Sequence, residues 1–281
     1  MTDYTRNKSE DSIVPVAWDE AYDVQNTIAE CVPSSFSPHV LICIHNVSTD
    51  IFVSGHIKHY GSWEGHILNT VAHCLQEYPN AAFIDLGANI GQYSMLAASM
   101  GRNVVAVEPS PEHIPNLQAG AMLNQFQNRI TILNYVVSEK RGENLTMSKS
   151  LRNSGHTYIV NDALKAESET FSVISIRLED ILPFVHSKTA IMKIDVETAE
   201  CKVIQNSIKF FQTIDVPYIF MEWMYQTHAD WNCVLNMRDE LLRYGFQPIT
   251  LTGDKLNIQN WDKWNIKNMS WPNDIIWKKL I

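Results

Sequence analysis

Asp85, Gly87, Asn89 and Gly91 stand at alternate positions where the apolar run Ala82-Phe83-Ile84 gives way to a turn. A strand that enters a glycine turn and opens a helix presents main-chain amides to a ligand. Gly87 allows a positive φ, and Gly91 lets helix and strand approach closely and a ligand reach the main chain. Glu108 ends the next β-branched run, NVVAVE, roughly twenty positions further on, where an acid can accept hydrogen bonds from both hydroxyls of a ribose. Many structural turns look like the first feature, and most strand-end acids are solvated charges. The interval between them is what points to a nucleoside, with Ser110 supporting the ribose edge.

The dinucleotide fingerprint G-x-G-x-x-G is not met. Counted from Gly87, its second and third glycines fall on Asn89 and Gln92, so a pyrophosphate would meet side chains. The spacing suits a ligand without phosphates, whose carboxylate reaches the helix amides and whose ammonium meets an acid near Asp85. S-adenosylmethionine has this layout, and a nicotinamide dinucleotide is the runner-up.

A second cluster, Lys193-Ile194-Asp195-Val196-Glu197, ends another apolar run. Lys193, Asp195 and Glu197 share one face if the run is a strand. A hydroxyl that attacks an electrophile must lose a proton, and Asp195 is the candidate acceptor, with Lys193 and Glu197 around it. A structural ion-pair network is the alternative. Glu222 is either a second acid over the acceptor or a satisfied strand-end charge. Asn153 and His156 are candidate acceptor-side residues, although ten histidines are spread along the chain. Trp261, Trp264 and Trp271 suit either stacking on sugar rings or closing small cores. No metal-ligand set is complete.

These residues need a scaffold. Apolar runs that alternate with helices of ten to fifteen residues predict βαβ units, hence an α/β fold with a mostly parallel sheet and helices on both faces. Ligands then sit beyond the carboxyl ends of the strands, so the residues after Leu86, Val107, Val137, Ile194 and Phe220 should converge. Helices are expected from Gly91 to Gly101, from Pro111 to about Gln125, from about Ala199 to Phe211 and from about Trp231 to Tyr244. Residues 1–50 read as a lead-in and 51–281 as one domain, with an acceptor-side insertion at about 138–170 that holds a hairpin at most.

Of the 281 residues, 22 are Lys or Arg and 31 Asp or Glu, a net charge of −9 that argues against nucleic-acid binding through bulk electrostatics. No apolar run is long enough to span a membrane. The N-terminal residues show no apolar signal-type segment, which favours a cytoplasmic location. Sequons at Asn7, Asn46, Asn144 and Asn268 keep a secretory lumen open. The five cysteines form no CxxC pair and no zinc-type cluster, and their odd number and wide spacing predict buried free thiols.

The runs FIDLGANIGQYS, AVEPSPEHIPNLQAGAMLN and MKIDVETAECKVIQ resemble the FkbM family of S-adenosylmethionine-dependent methyltransferases. GSWEGH and Asn153-Ser154-Gly155 fit less specific positions of the family, and the resemblance spans about Phe52 to Trp223. Thr198 departs from it, since the family commonly has glycine after the Glu197 position. The resemblance implies the class I methyltransferase (Rossmann-like) sheet with a reversed last strand. It also implies O-methylation of a hydroxyl on a glycan or small molecule, and a lid segment at Trp63-Glu64 over the cofactor. The competing readings are a catalytically inactive methyltransferase-like binding module and an NAD-dependent oxidoreductase.

Overall fold

A computed structural model describes residues 12–18, 28, 30–150, 153–159, 169–197, 199–223, 230–256 and 272–280; for 149, 150 and 153–159 it describes the backbone alone. The chain opens with β1 (Glu30–Pro33) and β2 (Leu41–Ile44), an antiparallel pair. Then come α1 (Val53–Tyr60), α2 (Gly65–Glu77), β3 (Ala82–Leu86), α3 (Gln92–Ser99), β4 (Val104–Val107), α4 (His113–Leu123) and β5 (Ile130–Leu133). The inserted part holds β6 (Val136–Val137), β7 (Asn144–Ser150), β8 (Asn153–Ile159) and β9 (Thr170–Ile176). A 3₁₀ turn (Leu178–Phe184) leads to β10 (Ala190–Ile194), α5 (Glu200–Ile204), α6 (Ile208–Thr213), β11 (Tyr218–Glu222), α7 (Trp231–Arg243), β12 (Phe246–Ile249) and β13 (Asp274–Lys279).

The main sheet has seven strands in the order β12-β13-β11-β10-β3-β4-β5. Strands β11, β10, β3, β4 and β5 are parallel, and β13 runs antiparallel between β11 and β12. The order reverses between β3 and β10, so the crevice belongs at their carboxyl ends. Every residue of β3 and β10 is buried, Asp85 and Lys193 included. Ala82, Ile84, Leu86, Val105 and Val107 face one core, while Phe83, Val104 and Ala106 face the other. Both faces are therefore covered, as a parallel sheet requires, and truncating one such buried Ile to Ala costs roughly 2–5 kcal/mol.

The helices that cover the sheet follow from their apolar spacing. In α2 the buried Ile67, Leu68, Val71, Cys74 and Leu75 recur at helical intervals on one stripe. Helix α7 starts where the Asp230 side chain accepts from the amides of Asn232 and Cys233, and the left-handed Gly245 follows its end.

Several expectations are revised. ITILNYVV is not one strand: β5 stays in the main sheet, while β6 leaves to pair with β9. The helix expected from Ala199 to Phe211 is broken into α5 and α6, with Asn206 at φ 60° between them. The inserted segment contributes a hairpin, β7–β8, and this joins β9 and β6 in a four-stranded sheet. Within the stretch read as a lead-in, Ile42 and Ile44 of β2 enter the second core, and Val16 donates to the Ile132 carbonyl at the β5 edge. The free-thiol expectation fails for four of the five cysteines. Cys31 bonds Cys43, its direct partner in the β1–β2 register, and Cys201 bonds Cys233 to tie α5 to α7. Cys74 alone is a buried free thiol. Among the described residues, no helix is long and apolar enough to cross a membrane.

Candidate active site

Strands β3 and β4 end side by side, with Leu86 opposite Val107. The amides of Gly87 and Ala88 donate to the Val107 carbonyl at 2.9 and 3.1 Å. Glu108, 3% exposed, turns back over the glycine loop. Its Oε2 accepts from the Asn89 amide at 2.7 Å, its Oε1 accepts from the Ser110 amide at 2.8 Å, and His113 Nδ1 lies 3.1 Å from Oε1. The Asn89 side chain accepts from the Ile90 amide at 2.7 Å. Two amides that the turn would offer to an anion are thus held by the chain's own oxygens. A carboxylate has about four acceptor positions; the three contacts to Glu108 from the described residues leave one on Oε2.

Both glycines are required by packing as much as by any ligand. Gly87 has φ 81°, and a Cβ there would lie 1.8 Å from the Asp195 carbonyl oxygen; at Gly91, with φ 87°, it would lie 2.8 Å from Leu117 Cγ. The first contact clamps the turn after β3 to the end of β10, which the Asp195 amide completes by donating to the Leu86 carbonyl at 3.0 Å.

The neighbouring wall is electrostatic. Lys193 pairs directly with Asp85 in the β10–β3 register. Its Nζ donates to Asp195 Oδ2 at 2.7 Å and stands 4.6 Å from the centroid of the Tyr93 ring. Burial works against the Lys193 charge, but Asp195, Asp85 and Glu64 outweigh it and hold the ammonium above its usual range. Asp85 itself is fully buried, accepts from Ser94 Oγ at 2.6 Å, and is raised above the ordinary carboxylate range by desolvation. Glu222 is pushed up to about 10, first by burial and then by Asp195, Glu197 and Glu200. It is therefore protonated at neutral pH, and its Oε2 is buried without a hydrogen-bond partner among the described residues. Asp274, opposite Glu222 in the β11–β13 register, is pushed up to about 7 by burial and by Glu64 and Asp195.

Trp63 and Glu64 form the rim. The Gln92 side chain grips the Trp63 backbone from both sides, accepting from its amide at 2.7 Å and donating to its carbonyl at 2.9 Å. Glu64 caps α2 at φ 52° and accepts from Tyr93 Oη at 3.0 Å, and burial raises its carboxyl.

These walls enclose a cavity of about 270 Å³. Gly87, Asn89, Glu108, Glu64, Lys193, Asp195, Glu197 and Glu222 all line it, with Tyr135, Val137 and Met147 from the β5–β7 side. The residues just after Leu86, Val107, Ile194 and Phe220 converge here as expected, whereas at the fifth strand end Val137 itself lines the cavity and Ser138 after it does not. Asp85, Gly91 and Ser110 do not line it: Asp85 lies beneath Lys193, Gly91 packs on Leu117, and Ser110 supports Glu108. Asn153 and His156 fall on β8, whose side chains are outside the description, and Thr198, Trp261, Trp264 and Trp271 lie outside the described residues. Sequence reasoning missed three groups. Asp274 carries no motif, Tyr93 lies within the FIDLGANIGQYS run with no role assigned to it, and Gln92 was noted only as a misfit to the dinucleotide pattern.

The donor set tests the implied cofactor. Among the described residues, five acids line the cavity against one cation, Lys193, which is itself paired with Asp195. Such a lining repels a pyrophosphate and suits a ligand that carries a sulfonium and an ammonium. S-adenosylmethionine fits such a lining.

Residues 85–248, more than half of the chain, match the Methyltransferase FkbM domain. The chain belongs to the FkbM methyltransferase family and is an S-adenosylmethionine-dependent methyltransferase of class I fold. No curated protein sequence gives a significant match. Among solved structures, the methyltransferase domain of bacterial CtHen1-CN is similar at 11% identity and TM-score 0.40, covering 76% of this chain and 97% of that one. The ribosomal protein L11 methylase of Lactobacillus delbrueckii subsp. bulgaricus is similar at 12% identity and TM-score 0.36, with 76% and 80% covered. The SAM-dependent methyltransferase of Agrobacterium tumefaciens is similar at 10% identity and TM-score 0.39, with 76% and 58% covered.

Proposed function

We propose that this methyltransferase binds S-adenosylmethionine in the 270 Å³ cavity and transfers its methyl group to a hydroxyl of an uncharged glycan or small molecule. One observation carries the reading. Asp195 stands at the cavity wall, its side chain 32% exposed and bonded by Lys193 Nζ at 2.7 Å, beside a Glu222 carboxyl that burial pushes up to about 10. The cofactor supplies an electrophilic methyl on a sulfonium. In our reading Glu108 holds the ribose through its open acceptor position, and the Trp63-Glu64 rim, latched by Gln92, covers the cavity and excludes water.

On the acceptor side, Asp195 takes the hydroxyl proton as the new O–C bond forms, and Lys193 fixes the carboxylate's position. Glu222 donates a hydrogen bond that orients the acceptor oxygen, and Glu197 adds to the anionic wall. Most of the acceleration comes from alignment and exclusion of water, since methyl transfer is an in-line displacement. The lining has no unpaired cation among the described residues, which disfavours phosphorylated or carboxylated acceptors.

The test is incubation of the protein with methyl-labelled S-adenosylmethionine and panels of neutral, anionic and amine-bearing acceptors. Label on a neutral hydroxyl acceptor, lost in Asp195→Asn, supports the reading. Tight cofactor binding with no transfer to any acceptor would instead support an inactive binding module.

A further inference from the structure

Methyl transfer leaves the sequons unused. Asn46 and Asn144 fall among the described residues, whereas Asn7 and Asn268 do not. Asn144 opens β7, and its backbone is committed to the ladder with β9, opposite Ile174. Asn46 is placed differently. It follows β2 in an exposed turn, and its Oδ1 accepts from both the amide and the hydroxyl of Ser48, at 3.0 and 2.9 Å. Its carbonyl accepts from the amides of Thr49 and Asp50 at 2.9 and 3.0 Å. Asp50 in turn anchors α1 by accepting from the Ser54 amide and hydroxyl at 2.9 and 2.6 Å. This Asx turn sets the sequon hydroxyl on the asparagine's own amide oxygen and polarises the amide. Nδ2 has no hydrogen-bond partner among the described residues.

An independent observation concerns the compartment. Cys43, three residues before Asn46, is bonded to Cys31, and Cys201 is bonded to Cys233. Disulfides persist in oxidising lumens and extracellular space and are rare where glutathione keeps thiols reduced. An exposed Asn-X-Ser loop on a chain that folds in such a place is an acceptor for N-linked glycan.

We propose that Asn46 is an N-glycosylation site and that the chain folds in an oxidising secretory compartment. The co-reactant is an oligosaccharide carried on a lipid pyrophosphate, used by the host's transferase. Nδ2 attacks the anomeric carbon and the N–C bond forms. The bond from that carbon to the pyrophosphate oxygen breaks, the electron pair leaves with the lipid pyrophosphate, and one Nδ2 proton passes to the transferase. No oxidation or reduction is involved.

The experiment takes the full chain from cells that naturally produce it. Treatment with peptide N-glycosidase in heavy-oxygen water is expected to lower its mass by one glycan at this site and leave a heavy-oxygen aspartate at position 46. Alkylation under denaturing but non-reducing conditions is expected to modify Cys74 and no other cysteine. In the same cells Asn46→Gln and Ser48→Ala are expected to lose that mass shift, and Ser48→Thr to keep it. None of these residues touches the cavity, so the variants test modification apart from catalysis. An unmodified Asn46 in protein whose disulfides are formed would overturn the site, and five alkylated thiols would overturn the compartment.

Discussion

At the β3–β4 corner Glu108 is held by two amides and a histidine, while at the β10–β11 corner Glu222 keeps a buried oxygen with no hydrogen-bond partner among the described residues. The first corner is finished before any ligand arrives: its acid fixes the glycine turn and has one acceptor position to spare. The second is left electrostatically unfinished, with Lys193, Asp195, Glu222 and Asp274 crowded together and two carboxyls driven up to about 10 and about 7. Closed hydrogen bonding gives a preformed shape for binding, and unbalanced burial of like charges separates the protonation states that acid–base chemistry needs. The proposed function accordingly places binding at one corner and proton transfer at the other.

The largest effect expected from breaking that contrast is at Asp195. Asp195→Asn should slow methyl transfer by about 10²–10⁴-fold, with the dissociation constant for S-adenosylmethionine changed little; steady-state rates and calorimetric titration check both. Gly87→Ala comes next, because its Cβ would collide with the Asp195 carbonyl and its φ is left-handed. A loss of about 2–5 kcal/mol in denaturant unfolding is expected, so the two corners should fail together. Glu108→Ala should weaken S-adenosylmethionine binding by roughly 1.5–3 kcal/mol while the fold persists; an unchanged dissociation constant would remove the ribose assignment.

Smaller effects sharpen the second corner. Asp274 has an ordinary value of 3.8 and is raised to about 7 in the fold, so the native state holds a proton that the unfolded chain releases. Its contribution is intact below about pH 4 and fades as pH rises through about 7. Asp274→Asn does not titrate, so its stability should gain on the parent across that window and level off above it. The difference should be about 1–2 kcal/mol at pH 8, since solvent screens a partly exposed group. Glu222→Gln should matter least: a group already protonated is replaced by another hydrogen-bond donor, and activity should stay within about threefold at pH 7. A large loss there would make Glu222 a base.

The binding corner was legible because it is local. Gly87, Asn89 and Glu108 lie in one βαβ unit, and their interval reports the strand–turn–helix geometry directly. The chemical corner depends on register between strands far apart in sequence. Nothing in the chain's order announces that Lys193 lies against Asp85, or that Glu222 faces Asp274. Asp85 read as a ligand for the cofactor because its spacing fits; its burial beneath Lys193 follows from β10 being its neighbour. Gln92 looked only like an obstacle to pyrophosphate, whereas its amide latches Trp63, which precedes it by 29 positions. The cysteines escaped for the same reason, since pairing of Cys31 with Cys43 follows from hairpin register and not from spacing.

Calorimetric titration of the protein with S-adenosylmethionine, its demethylated product and NAD, each against the parent and Glu108→Ala, addresses the central assignment most directly. The account predicts binding of the first two, weakened in Glu108→Ala, and none of NAD. NAD binding as tight as S-adenosylmethionine, or no S-adenosylmethionine binding at all, would contradict it.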